Sequence, residues 1–254
     1  MRRTAVACVA ITLVLLSISL ARAEVKALWL FDEGQGTVAL DSSGNGADGM
    51  ISGATYDTGK FGTGLRFDGA SFVDLGFPPS LQDEIVGPFT VETWIKLDSA
   101  PPADHSTIIF MQAGGTVSVG FTSSTGGGLY GYAGDNVKIT DPEPFPVGVW
   151  VHIAHTFDGT IQKLYRDGVE IASQDASNAN FDHPTDMPWT IGAWSTHDQL
   201  FLENAVLDEM RVSDEAVPAA ELGFSVGSFG SSASVKPDGK LSECWGGIKL
   251  GDIR

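Results

Sequence analysis

The sequence predicts an all-β antiparallel sandwich, and three observations support this fold class. First, residues 150–174 contain three strand-like runs separated by Asp158-Gly159 and Asp167-Gly168, and Asp-Gly pairs favour two-residue type I′ turns. Second, glycine is abundant, with 31 residues in a chain of 254. Third, helical periodicity is almost absent. Many short strands joined by tight turns account for all three observations.

The amino terminus has the composition of an export signal. Arg2 and Arg3 give a basic start, the segment 4–20 is almost wholly apolar, and small residues follow at the positions that a signal peptidase recognises. We therefore expect residues 1–23 to be a signal peptide. The alternative is an uncleaved anchor, but the apolar run is shorter than the ~20 residues that cross a bilayer. The expected location is secreted or at the cell envelope, without stable membrane insertion after cleavage.

Charge and cysteine content narrow the choice of partners. The net charge of −17 argues against nucleic acids and anionic membranes, and it suits divalent cations or neutral ligands. A simpler interpretation is that the charge keeps an exported protein soluble. Only Cys244 would remain after signal cleavage, so no internal disulfide can form, and stability must come from a sizeable hydrophobic core.

Alternating and apolar runs place about a dozen strands in one domain, residues 24–222. The predicted strands are 25–31, 50–54, 65–67, 72–75, 89–97, 108–111, 117–121, 129–132, 137–139, the three within 150–174, 189–191 and 202–212. A short helical turn is predicted at 218–222. The composition changes at 223, and residues 223–254 are predicted to be a Gly/Ser linker and a short C-terminal tail.

Five segments in order resemble the laminin G-like jelly roll family of the concanavalin A-like lectin/glucanase superfamily. They are 28–37 with 41–46, 64–69 with 72–73, 89–96, 150–154 with 156–159 and 164–168, and 207–214. The family often has a histidine where Val151 stands here. The resemblance covers residue 25 to about 222 and implies a jelly roll of two curved antiparallel sheets packed face to face. It implies little about the ligand, because such folds host many functions.

A structural calcium site is the sharpest expectation about cofactors. Calcium takes six to eight oxygen ligands from carboxylates, amides and carbonyls. Asp32 ends the first strand and Asp208 lies in the last long strand, and the resemblance implies that these strands are close. Asn45 can add an amide oxygen from a glycine-rich loop, and Asp68 lies in a tight turn. We expect Asp32, Asn45, Asp68 and Asp208 to supply the ligands. The alternative is that Asp32, Asp41 and Asp68 only cap turns by bonding their own backbone.

Carbohydrate is the ligand class that the exposed aromatic residues favour. Sugars stack their apolar faces on aromatic rings and bond their hydroxyls to acids and amides. We expect Tyr130, Tyr132, Asp135 and Trp194 to be exposed and to contact a glycan. The alternative places these rings in the core.

Catalytic and zinc-binding patterns are weak in this sequence. His152 and His155 are three apart on a predicted strand, so they face opposite ways and cannot chelate one zinc ion. Glucanases of the superfamily carry a Glu-x-Asp-x-(x)-Glu strand, and residues 203–209 do not match it, because Glu203 and Asp208 differ by an odd number.

The sequence therefore predicts a secreted, non-catalytic recognition module that binds carbohydrate and holds a structural calcium. Its partner would be a glycan or an extracellular protein. A structural or adhesive protein-interaction module is the alternative, and a glycoside hydrolase is a less favoured one.

Overall fold

The computed structural model describes residues 23–83, 85–112, 117–122, 127–181, 186–223 and 228–229. Within these ranges, sixteen strands form two antiparallel sheets of eight strands each. The predicted all-β sandwich is confirmed.

Sheet one contains the long central strands, and its order is β14-β13-β12-β7-β16-β5-β4, with β1 also pairing with β16. The bounds are β1 Val25–Trp29, β4 Thr55–Thr58, β5 Thr63–Phe67, β7 Phe89–Leu97, β12 Trp150–Phe157, β13 Ile161–Arg166, β14 Val169–Asp175 and β16 Ala205–Ser213.

Sheet two packs against it and has the order β11-β10-β9-β8-β15-β6-β3-β2. The bounds are β2 Val38–Ala39, β3 Gly49–Ser52, β6 Phe72–Gly76, β8 Thr107–Gln112, β9 Val117–Thr122, β10 Gly128–Ala133, β11 Val137–Thr140 and β15 Trp189–Ile191. A one-turn helix, α1 (Pro79–Gln82), follows β6, and a 3₁₀ turn covers Ala219–Glu221 inside the predicted helical segment 218–222.

The core lies between the two sheets and is built from the inward-facing side chains of their strands. In β7, Phe89, Val91 and Ile95 are buried in the same cluster as residues of sheet two, while Glu92 and Trp94 face the other way. The period of two that the sequence shows in this strand is therefore the inward and outward alternation of a sandwich.

Two glycines let the sheets approach each other closely. The ring of His155 in β12 lies against Gly131 in β10, where an ideal Cβ would come within 2.6 Å of the ring. An ideal Cβ at Gly192 would overlap the ring of Phe67 in β5. His155 is therefore a core residue between the sheets, a position that the sequence did not predict.

The two Asp-Gly turns differ. Asp167 and Gly168 both have positive φ, at 50° and 75°, so this pair forms the predicted two-residue turn. The prediction of a two-residue type I′ turn at Asp158-Gly159 is wrong. Asp158 does not have positive φ, and a three-residue loop joins β12 to β13. The carboxylate of Asp158 accepts hydrogen bonds from the N–H groups of Thr160 and Ile161, which stabilises the longer loop.

Strand β16 organises the middle of sheet one. One edge pairs with β7, and the other is shared by β5 and β1. The register shifts between Asp208 and Arg211, and Glu209 has φ of 52°. This bulge turns successive side chains in directions that a regular strand does not allow, which sets the positions of Asp208 and Glu209.

Residues 1–22 of the predicted export signal and most of the tail, including Cys244, lie outside the described residues, so the boundaries at 23 and 222 stay predictions. None of the helices in the described part of the chain is long and apolar enough to cross a membrane.

Candidate functional site

The outer face of sheet two carries three of the four predicted ligand-binding residues. Leu129 and Ala133 of β10 point into the core, so Tyr130 and Tyr132 between them point outward. Together with five residues nearby they form a second apolar cluster, which we call the outer cluster. Its members are Ile108, Met111, Tyr130, Tyr132, Met187, Trp194 and Leu200.

Tyr130 forms the floor of the outer cluster, and the prediction that it is exposed is wrong, because only 4 % of its surface is accessible. Its direct neighbour in β9 is Gly120, where an ideal Cβ would lie 3.0 Å from the Tyr130 hydroxyl. The missing side chain therefore leaves the space that the tyrosine fills. Its hydroxyl lies 3.4 Å from Ser118 Oγ, and burial raises the pKa of Tyr130 to about 12.

Tyr132 and Trp194 are the partly exposed rings of the outer cluster. Tyr132 stands edge-on to Tyr130, with ring centroids 5.8 Å apart. Trp194 belongs to the loop after β15 and is held over β8 by backbone bonds. Its N–H donates to the carbonyl of Gln199, and Ile108 N–H donates to the carbonyl of Leu200. The loop thereby brings a tryptophan beside two tyrosines from another strand.

Lys138 adds a charge to this face. It is directly opposite Tyr132 in β11, and its Nζ lies 4.7 Å from the centroid of the Tyr130 ring and 5.8 Å from that of Tyr132. Partial burial lowers the pKa of Lys138. Lys138 could not be predicted as a site residue from the sequence, because its position over the rings depends on the pairing of β10 with β11.

Asp135 is not part of the outer cluster. It lies in the turn between β10 and β11, where its N–H donates to the carbonyl of Asn180, and the side-chain amide of Asn180 donates to its carboxylate at 3.5 Å. Of the four predicted ligand-binding residues, the structure therefore groups the three aromatic ones and places the acid at the end of the hairpin.

Asp32 and Asp208 converge on one short loop, 59–63. The N–H of Thr63 donates to Asp32 Oδ1 at 2.9 Å, and the N–H of Phe61 donates to Asp208 Oδ2 at 2.8 Å. Glycines permit this approach, since an ideal Cβ at Gly59 would lie 2.6 Å from Asp208 Oδ2. The first and last long strands are therefore joined through this loop, as the resemblance implies.

The carboxylate of Asp208 is unusual. It is fully buried, and its Oδ1 has no hydrogen-bond partner. Burial raises its pKa to about 7, the neighbouring Glu209 and Asp32 carboxylates add to the rise, and the N–H of Phe61 opposes it. A buried acceptor without a donor beside a second carboxylate is an environment that a cation would stabilise.

The donor set fits calcium better than zinc. Throughout the described ranges, no group of three or more His, Cys, Asp or Glu side chains is arranged to hold a metal ion. Asp32 and Asp208 would have to be completed by backbone carbonyls or water, which calcium accepts readily and structural zinc does not.

The other two predicted metal ligands lie elsewhere. The amide of Asn45 donates to the carbonyl of Val25 at 2.8 Å, which is at the start of β1, whereas Asp32 follows its end. Asp68 accepts the N–H of Ala70 at 3.1 Å and so caps its own turn. The structure brings together two of the four predicted ligands.

A buried ionic cluster on the outer face of sheet one escaped the sequence analysis. Glu92 accepts from Nε of Arg211 at 2.6 Å and from the N–H of Gly223 at 2.6 Å, and it lies 3.0 Å from Nε2 of His152. Burial acts to raise the pKa of Glu92, but Arg211, His152 and the Gly223 N–H outweigh it and lower the pKa. Each residue is outward-facing in its own strand, but only the strand register brings the three together.

The chain after β16 covers this ionic cluster. Glu209 accepts from the N–H of Phe229 at 2.6 Å and from the hydroxyl of Ser228, and the guanidinium of Arg211 lies 4.4 Å from the Phe229 ring centroid. Phe229 is only 5 % exposed. The outer face of sheet one is thus closed here by the protein's own chain, whereas Tyr132 and Trp194 on sheet two remain partly open.

Comparison with known proteins identifies the fold family. The model of a family described as the concanavalin A-like lectin/glucanases superfamily, in its laminin G-like form, matches residues 67–223. A search of curated proteins gives no match.

Among solved structures, domain 4 of AbnA, an extracellular GH43 arabinanase from Geobacillus stearothermophilus, was solved in complex with arabinotriose. It is 20% identical, with a TM-score of 0.60, over 80% of this chain and 98% of that one.

The binding domain of Paraclostridial Mosquitocidal Protein 1 is 15% identical, with a TM-score of 0.58, over 80% of this chain and 51% of that one. Trypanosoma rangeli sialidase in complex with sialic acid is 12% identical, with a TM-score of 0.58, over 79% of this chain but 32% of that one. At these identities, the three likenesses concern the fold.

Proposed function

Because this chain belongs to the laminin G-like family of the concanavalin A-like lectin/glucanases superfamily, we propose that it is an exported, non-catalytic carbohydrate-binding module. Its sugar site is the outer cluster of sheet two. Sugar rings stack on Tyr132 and Trp194, Tyr130 supports them from below, and polar groups at the strand edges bond the hydroxyls.

The observation that carries this proposal is the grouping of three aromatic side chains on one outward face. Tyr130 and Tyr132 come from β10 and Trp194 from a distant loop, yet they share one cluster outside the main core. A soluble protein ordinarily buries such rings between its sheets. Rings that stay partly open, on a face built around them, are typical of a ligand surface.

The comparison with AbnA supports the same ligand class. That arabinanase domain has the same fold over 98% of its length and was solved with a bound oligosaccharide. At 20% identity, the comparison supports a shared fold but does not identify the sugar, so the particular glycan must be found by experiment.

Calcium has a structural role in this proposal. The ion binds Asp32 and Asp208 together with carbonyl oxygens of the loop 59–63, and it neutralises the buried carboxylate of Asp208. By this means it ties the end of β1, the loop before β5 and the middle of β16 to one another. The metal therefore stabilises the sandwich and does not contact the sugar.

A glycan array tests the proposal directly. The protein without residues 1–23 should bind a subset of glycans, Tyr132→Ala and Trp194→Ala should lose that binding, and the matched control Trp150→Ala should retain it, because Trp150 is on the opposite sheet. If the protein binds no glycan on the array but binds an extracellular protein, the alternative of a structural or adhesive protein-interaction module is favoured. Release of reducing sugar from a polysaccharide would contradict the non-catalytic part.

A further inference from the structure

The three strands that present the outer cluster are almost free of charge. Strands β9, β10 and β11 read VSVGFT, GLYGYA and VKIT, and Lys138 is the only charged residue in them. The whole chain carries 32 acidic residues, so the absence of carboxylates from these strands is a local property of this face.

Lys138 lacks the carboxylate partner that the partly buried arginines have. The guanidinium groups of Arg66, Arg166 and Arg211 all pair with carboxylates. Among the residues that the structure describes, no carboxylate lies within ion-pair distance of Lys138, and the contacts of its ammonium are with the faces of two tyrosine rings.

The ammonium is placed where a stacked sugar would meet it. Tyr132 is directly opposite Lys138 across the β10–β11 pair, so a group that stacks on Tyr132 lies beside Nζ. A partly desolvated cation without a counter-charge is unfavourable, and an anion from the ligand would relieve this cost.

We infer that the outer cluster selects anionic saccharides, in which a carboxylate or sulfate group pairs with Lys138 Nζ while the sugar ring stacks on Tyr132. This inference rests on the proposed carbohydrate-binding function and specifies its substrate class.

The negative charge of the whole protein does not oppose this selection strongly. At physiological ionic strength, exposed charges are screened over about 8 Å. The contacts that matter are within that distance, and the described residues of β9–β11 contribute no acid there. Distant carboxylates would slow the approach of a polyanion more than they would weaken the bound state.

The test uses matched pairs of polysaccharides that differ only in charge. One pair is polygalacturonate and its carboxyl-reduced form, and the other is a sulfated galactan and its desulfated form. Binding to each is measured by affinity electrophoresis or calorimetry for the protein without residues 1–23 and for Lys138→Gln, Lys138→Arg and Tyr132→Ala. The matched control is Lys163→Gln, which removes a lysine on sheet one.

The expected result is that at least one anionic polymer binds roughly tenfold more tightly than its neutral counterpart, in a salt-dependent manner. Within the Lys138→Gln variant, the charged and neutral forms should bind equally tightly. Lys138→Arg should keep the preference for the charged form, and Tyr132→Ala should lose binding to both forms. The polymer pair that shows the preference identifies whether the ligand's anionic group is a carboxylate or a sulfate.

Two outcomes would overturn the inference, and they differ in what they leave standing. If the neutral polymers bind as tightly as the charged ones and Lys138→Gln changes nothing, the anionic preference is wrong but the carbohydrate-binding function survives. If no polymer in either form binds, the anionic preference is wrong, and the glycan array decides separately whether the proposed carbohydrate-binding function survives.

Discussion

The imidazole of His155, in sheet one, packs against the backbone of Gly131, in sheet two. An ideal Cβ at Gly131 would lie 2.6 Å from Cε1 and from Nδ1 of that ring. This contact fixes how close the two sheets come beneath β10, the strand that carries Tyr130 and Tyr132 on its other face. The distance between the sheets and the position of the outer cluster therefore both depend on Gly131.

Replacing Gly131 with alanine should destabilise the fold by about 1–3 kcal/mol, because the added methyl group overpacks the interface between the sheets. Urea denaturation of Gly131→Ala measures this change. The matched control is Gly87→Ala, since Gly87 has no atom within 4 Å of an ideal Cβ. If both variants unfold at the same urea concentration, the tight packing at Gly131 is wrong.

His155 should make the stability depend on pH. Burial lowers the pKa of His155 to about 4, from an ordinary value near 6.5, although its contact with Gln162 partly opposes this. Between these two pH values the unfolded chain binds more protons than the folded one, so stability falls as the pH drops from 6.5 through 4. The full loss would be about 3 kcal/mol.

Urea denaturation from pH 8 to pH 4 tests this for the wild type and for His155→Asn. The variant should lose stability less steeply over that interval, whatever its stability at pH 8. Leu164→Ala is the control, because Leu164 is buried in the same core and has no ionisable group, so this variant should keep the slope of the wild type. Equal slopes for wild type and His155→Asn would contradict the assignment.

Calcium should raise the thermal melting temperature of the wild type by several degrees, because an ion that binds only the folded state stabilises it by about 2.7 kcal/mol at a hundred times its dissociation constant. Asp208→Asn should lose this shift, since it removes the buried carboxylate. Asp68→Asn should keep it, because Asp68 caps its own turn. A calcium shift that persists in Asp208→Asn, or disappears in Asp68→Asn, would place the ion elsewhere.

The buried pair of Glu92 and Arg211 should show strong coupling. Glu92→Gln and Arg211→Met should each cost about 3–5 kcal/mol, because each leaves a buried charged partner without its counter-ion. The double variant should cost clearly less than the two single costs combined.

An exposed pair provides the comparison for that double-mutant cycle. Lys163 and Glu170 lie 2.8 Å apart on the surface of sheet one, and their coupling should stay below about 1 kcal/mol. Additive effects of Glu92→Gln and Arg211→Met would show that the two side chains do not act as a pair.

Local sequence patterns predicted much of the fold. The bounds predicted for β7 and β15 are those observed, because turn-forming residues flank both strands: Pro88 and Asp98 for β7, and Pro188 and Gly192 for β15. Strands β2 and β4 were missed. β2 has only two residues. β4 reads TYDT, which shows no alternation of apolar residues, and it is held as an edge strand by its hydrogen bonds to β5.

The candidate sites were predicted less well, because they depend on contacts between distant segments. Tyr130 was expected at the surface, and only the pairing of β10 with β9 reveals that Gly120 leaves room to bury it. Asp32 and Asp208 were chosen through the family resemblance, and their shared loop 59–63 appears only in three dimensions. Glu92 and Arg211 meet through a register that no local pattern specifies.

If the protein recognises sugars on the outer face of sheet two, backbone amide NMR during titration with an oligosaccharide ligand should locate the sugar there. The amide shifts of β10, of β11 and of the loop containing Trp194 should change, while those of β7 and β12 should stay constant. Changes confined to the face of sheet one around Glu92 and Trp150, with none in β10, would contradict it.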